Sequence, residues 1–187
     1  MITFTKKIII LFIAPIVIGI VSSFSLPPYD LFFLNFFTYP ALYLFFITIE
    51  KDKKIFSFLF GCMFGFGYFI SSLYWIANAL TFDENFKPLI PLSIVVIPLF
   101  LGIFYGFATL IASFFKIEKN FSSILIFSLI FAIIEFIRGY ILGGFPWNLI
   151  VYSLTKYSYS IQILSIIGTY SLNLLTLTIF TLPAILI

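Results

Sequence analysis

The chain has no histidine and one cysteine, Cys62. Without histidine there is no Ser-His-Asp triad and no Cys-His pair, and a zinc site loses its usual ligands. One cysteine excludes an intramolecular disulfide. Cys62 lies in FLFGCMFGFG, where nothing stabilises a thiolate, so it reads as a small hydrophobe rather than a nucleophile. Charge is scarce as well. Only 9% of the residues are charged, against about 25% in soluble domains. The basic residues sit singly or in pairs along short loops, which gives no surface for nucleic acid. No metal site and no cofactor is expected.

What is present is apolar. Of the 187 residues 63% are hydrophobic, and a soluble globule of this size cannot hide that much apolar surface. We therefore expect an all-α, polytopic transmembrane helix bundle. The 28 Phe and 11 Tyr accompany abundant Ile, Lys and Asn, all with AT-rich codons, so base composition accounts for them without an aromatic function.

The apolar runs predict about six helices, over 8–24, 31–49, 55–81, 89–115, 121–142 and 161–187, with no soluble domain in the span 1–187. Lys6 and Lys7 before the first run, with Ser22 and Ser23 at its end, also fit a signal peptide. The further runs that follow at once favour an uncleaved helix. Pro27 and Pro28 force a turn, after which Asp30 can cap the second helix. Gly61, Gly65 and Gly67 in the third run, and Gly102 and Gly106 in the fourth, allow close helix approach. Tyr74 and Trp75 fall where an aromatic belt is expected. Asn120 or Ser122 can cap the fifth helix. With the N-terminus inside, Lys6, Lys7, Lys51, Lys53, Lys54, Lys116 and Lys119 face the cytoplasm, and Lys87, Arg138 and Lys156 face outward. The positive-inside rule then places both termini in the cytoplasm.

The stretch EFIRGYILGGFPW, 135–147, stands out. Glu135 and Arg138 are three apart on one helix face, where they can neutralise each other. A charge at the centre of a membrane helix costs about 2.5–3.5 kcal/mol, so it is rarely kept without a partner or a purpose. The pair can simply satisfy itself and orient the helix, or it can shape a site. Glu135 lies roughly 20 Å along its helix, in the outer third of the bilayer. Gly143, Gly144 and Pro146 break the helix, and 148–160 is mixed and poorly periodic. That irregular outer-face segment is tolerated in a membrane only where protein or water covers its backbone.

Five fragments in register resemble the membrane domain of bacterial apolipoprotein N-acyltransferases. They are Pro27-Pro28-Tyr29-Asp30; the glycine-rich stretch 61–68 with Leu73-Tyr74-Trp75-Ile76; Glu135-x-x-Arg138-Gly139; Gly144-Phe145-Pro146-Trp147; and Tyr152-Ser153 with Gln162 and Gly168-x-Tyr170-Ser171. The resemblance implies a bacterial inner-membrane location and the last step of lipoprotein maturation. An acyl chain passes from a phospholipid to a Cys thiol, then to the α-amino group of diacylglyceryl-cysteine. It also implies that Glu135, Arg138, Gly139, Gly144, Phe145, Pro146, Trp147, Tyr74 and Trp75 contact lipid or a catalytic domain.

In that family a Glu-Lys-Cys triad on a periplasmic nitrilase-like domain does the chemistry. No residue of this sequence matches it, so the expectation is a truncated enzyme or one part of a split one. Its partners would be membrane phospholipids, a separately encoded nitrilase-like domain and the apolipoprotein substrate. Autonomous catalysis is not expected. The alternatives are a non-catalytic lipid-binding, scaffolding or transport module, and a decaying gene product. Against a transporter stand the lack of an internal repeat and of a midplane charge relay.

Overall fold

A computed structural model describes residues 8–49, 54–141 and 143–187. Every regular element among them is helical, and three helices are long and apolar enough to cross a membrane. The molecule is a membrane helix bundle. Lys6, Lys7, Lys51 and Lys53, on which the orientation count leans, lie outside the described residues.

Helix α1 runs Ile9–Ser23. Pro15 cannot donate a backbone hydrogen bond, and the turn ahead of it widens so that the Ala14 N–H reaches the Ile9 carbonyl. Helix α2, Phe32–Ile47, begins with a tight 3-10 turn. Asp30 does not cap it, contrary to expectation. It sits in the connecting turn at φ 55°, a left-handed conformation that Asp tolerates, and no side chain caps this start. Helix α3 is Lys54–Ser72, α4 is Ile90–Ala112 and α5 is Phe121–Tyr140. Asn120 caps α5 by accepting from the Ser123 N–H at 2.9 Å.

Two apolar runs are divided by the backbone. The third stops as an α-helix at Ser72 and continues as a 3-10 segment, Tyr74–Thr81. The last becomes α6, Ser158–Ile167, and α7, Thr169–Thr181, which continues to Ile185 as a 3-10 turn. Gly168, at φ 81° and ψ 160°, makes the break, a conformation that L side chains rarely adopt.

Glycine sets the packing of α1, α3 and α4. Gly61 faces the Tyr105 carbonyl and Gly65 faces Gly102, so α3 lies backbone to backbone on α4. On its other side Gly67 meets Ile16 and Gly19 meets Phe64, which brings α1 equally close. Small residues allow this approach where no hydrophobic effect drives helices together. Between these helices and α2, α5 and α7 lies one core of Tyr39, Tyr43, Phe60, Phe64, Tyr68 and Phe127 among others. One bundle end holds Lys54, which donates to the Ser113 carbonyl, and the 113–120 loop. The other carries Pro27, Trp75 and Trp147, and is called the aromatic end below.

Candidate functional site

The last turns of α5 carry Glu135 and Arg138, each 1% exposed. Among the described residues no direct ion pair joins them, contrary to expectation. The Glu135 carboxylate accepts from the Tyr105 hydroxyl of α4 at 2.6 Å and from the Asn173 side-chain amide of α7. Neutral donors from two other helices thus take both oxygens. The Asn173 carbonyl oxygen in turn accepts from the Val151 N–H at 3.1 Å.

Val151 lies in a short 3-10 turn, Ile150–Leu154, whose first N–H groups have no partner within the turn. Leu149, Ile150, Val151 and Ser153 are buried, so protein covers the first part of the irregular stretch 148–160, whereas 156–159 is exposed. Asn173 therefore ties three parts together: the carboxylate of α5, α7 itself, and the segment that follows the helix break.

Arg138 is treated differently. None of its three guanidinium nitrogens has a hydrogen-bond partner among the described residues. The group instead lies over the Phe69 ring, 5.1 Å from its centroid, with Phe145 at 5.9 Å. Such contacts contribute roughly 0.5–2 kcal/mol each, and they satisfy no N–H.

The break after α5 places the rest of the sequence signature. Gly144 has φ 75°, and a side chain there would run into the Gly139 carbonyl. The Phe145 N–H closes the turn by donating to the Arg138 carbonyl at 3.0 Å. Gly139 leaves room for the Tyr170 hydroxyl of α7. Phe145 packs on Trp147 at 5.4 Å, and Trp147 stacks on Trp75 at 5.3 Å and 18°. Pro146 is exposed within this loop. Trp75 thus joins the site, whereas Tyr74, half exposed, makes no ring contact among the described residues.

Beside the tryptophans is a hollow of about 300 Å³, lined by Ser72, Trp75, Asn148, Tyr152 and Thr155 among others. The Tyr68 hydroxyl fixes its edge by donating to the Asn148 carbonyl at 3.1 Å. Ser72 is one turn beyond Phe69 on α3, so the hollow lies roughly 4.5 Å nearer the bundle end than the ring that carries the guanidinium.

Residues 18–182 match the apolipoprotein N-acyltransferase N-terminal domain. The chain belongs to that family. It is 34% identical to the apolipoprotein N-acyltransferase of Brucella melitensis over 176 residues, 90% of this chain and 33% of the relative. The apolipoprotein N-acyltransferase of Sinorhizobium medicae is 31% identical over 175 residues, 89% of this chain and again 33% of the relative. That of Rhizobium etli is 37% identical over 130 residues. The chain spans about a third of the length of the first two of these relatives.

Sequence reasoning missed Tyr105, Asn173 and Phe69. Asn173 did leave a signal, an amide inside a run of leucines and threonines, where a polar group in lipid needs a partner. Tyr105 and Phe69 left none, being two aromatics among many.

Proposed function

We propose that this chain is the membrane-embedded part of an N-acyltransferase of bacterial lipoproteins. The observation that carries the reading is the family match over 18–182, together with the meeting of Arg138, Phe145, Trp147 and Trp75 at one end of the bundle. In the proposed reaction a Cys thiolate attacks the acyl ester of a phospholipid, and lysophospholipid leaves. The α-amino group of diacylglyceryl-cysteine then attacks the thioester, giving the amide and returning the thiol. The nucleophile belongs to a catalytic domain of the same protein or of a partner. Cys62 is unsuited to the part, since it packs against Gly106 in the α3–α4 contact.

The membrane domain's own task is to seat that domain and to present lipid to it. Both termini are assigned to the cytoplasm and the aromatic end to the outer face of the inner membrane, in keeping with the basic residues of the loops. Trp and Tyr suit that depth, with an apolar body and a polar edge.

A chimera tests this reading. Residues 18–182 replace the matching third of the Brucella melitensis protein, in cells depleted of their own N-acyltransferase. Mass spectrometry of a lipoprotein N-terminus then reads the outcome. The expected result is restored N-acylation. A chimera that inserts stably while only the diacylglyceryl form accumulates would contradict the assignment.

A further inference from the structure

We propose that Arg138 is the floor of a phosphate-binding site, entered from the aromatic end through the hollow between Trp75 and Tyr152. The inference rests on the membrane-domain reading only for its preferred source of phosphate, a phospholipid headgroup. The site itself stands on the geometry.

A guanidinium presents five N–H donors in a planar fork, matched to carboxylate and phosphate oxygens. In lipid or protein interior each unpaired donor is costly, and a buried polar group normally has its partner. Arg138 is 1% exposed and none of its three nitrogens has a partner among the described residues, so the fold holds a strong donor set that they leave unused. The nearest acid is committed elsewhere, because Glu135 is held by Tyr105 and Asn173. Glu135 thereby balances part of the charge through space without occupying the fork.

The walls fit a charged headgroup at a lipid boundary. Phe69 and Phe145 lie by the guanidinium and offer its N–H groups no acceptor, and through Trp147 and Trp75 the Phe145 ring connects it to the hollow. Tyr152 lines the hollow opposite Trp75. That hollow adds the polar groups of Ser72, Asn148 and Thr155 beside apolar Leu26 and Pro27. The loop that carries Phe145 and Trp147 follows Gly143 and Gly144, both at positive φ, so the cover over the fork hangs on two glycines.

Arg138 is the only arginine of the 187 residues, so one isotope label isolates it. The chain carrying nitrogen-15 arginine is reconstituted into phosphatidylglycerol bilayers in phosphate-free buffer. In a second sample it is placed in a phosphate-free glycolipid bilayer with inorganic phosphate added. Solid-state NMR then reads the loss of guanidinium nitrogen signal caused by nearby phosphorus. Loss in the first sample alone assigns the site to the lipid headgroup, and loss in the second shows a free phosphate on the same fork. No loss in either sample overturns the proposal. As a second test, Arg138→Lys keeps a charge without the fork, and should retain at least tenfold less phosphatidylglycerol through purification. Unchanged retention by a folded Arg138→Lys would also overturn it. Neither readout uses acyl transfer, so a failed chimera and a failed phosphate site are separate results.

Discussion

The contact of α3 with α1 and α4 and the site around α5 and α7 are built on opposite rules. In the first, glycines bring backbones together, and neighbouring helices touch at Gly61, Gly65 and Gly67. In the second the backbone breaks twice, at Gly143–Gly144 and at Gly168, and a carboxylate and a guanidinium are buried within one turn. The first region fixes where α3 lies, and with it the Phe69 ring on which the second depends.

Gly65→Leu should break the comparison on the frame side most severely. Its Cβ would meet the Gly102 backbone, and overpacking of this kind costs about 3 kcal/mol or more. Thermal unfolding in detergent should show it, together with lost stacking of Trp75 on Trp147. Asn173→Leu attacks the site side. It orphans the Val151 N–H and one Glu135 oxygen, for a loss of about 2–3 kcal/mol in unfolding free energy, read from the shift in denaturant midpoint. Tyr105→Phe removes a single donor to the carboxylate and should cost about 1.5 kcal/mol by the same measurement. Trp147→Ala ranks last, at about 1 kcal/mol, because the ring pair is half exposed. Its clearer effect is spectral. With only two tryptophans in the chain, the emission left is that of an unstacked Trp75.

The helices were legible because lipid imposes a simple rule on composition, and the runs around Lys54–Ser72 and Phe121–Tyr140 obey it. From the signature 135–147, Phe145 and Trp147 meet Trp75, a convergence that the sequence did not state. The partners of Glu135 were not legible either. Spacing along a helix shows only the neighbour three or four residues away, whereas Tyr105 and Asn173 are 30 and 38 residues distant in sequence. Gly168 was read only as part of a motif, and the break it makes in the run 161–187 was not foreseen, for a related reason. A lone glycine in an apolar run reads as a packing residue until its φ is known. Asp30 erred in the reverse direction, because a local cap rule lost to the turn that Pro27 and Pro28 enforce.

The central structural claim is that Glu135 anchors the 150–154 turn through Asn173 and leaves Arg138 to other work. Hydrogen exchange at the Val151 amide tests it most directly. Asn173→Leu should speed that exchange at least tenfold, while Arg138→Gln should leave it at the wild-type rate. If Arg138→Gln released Val151 as strongly as Asn173→Leu does, Glu135 and Arg138 would be acting as one ion pair, and the division of labour between them would be wrong.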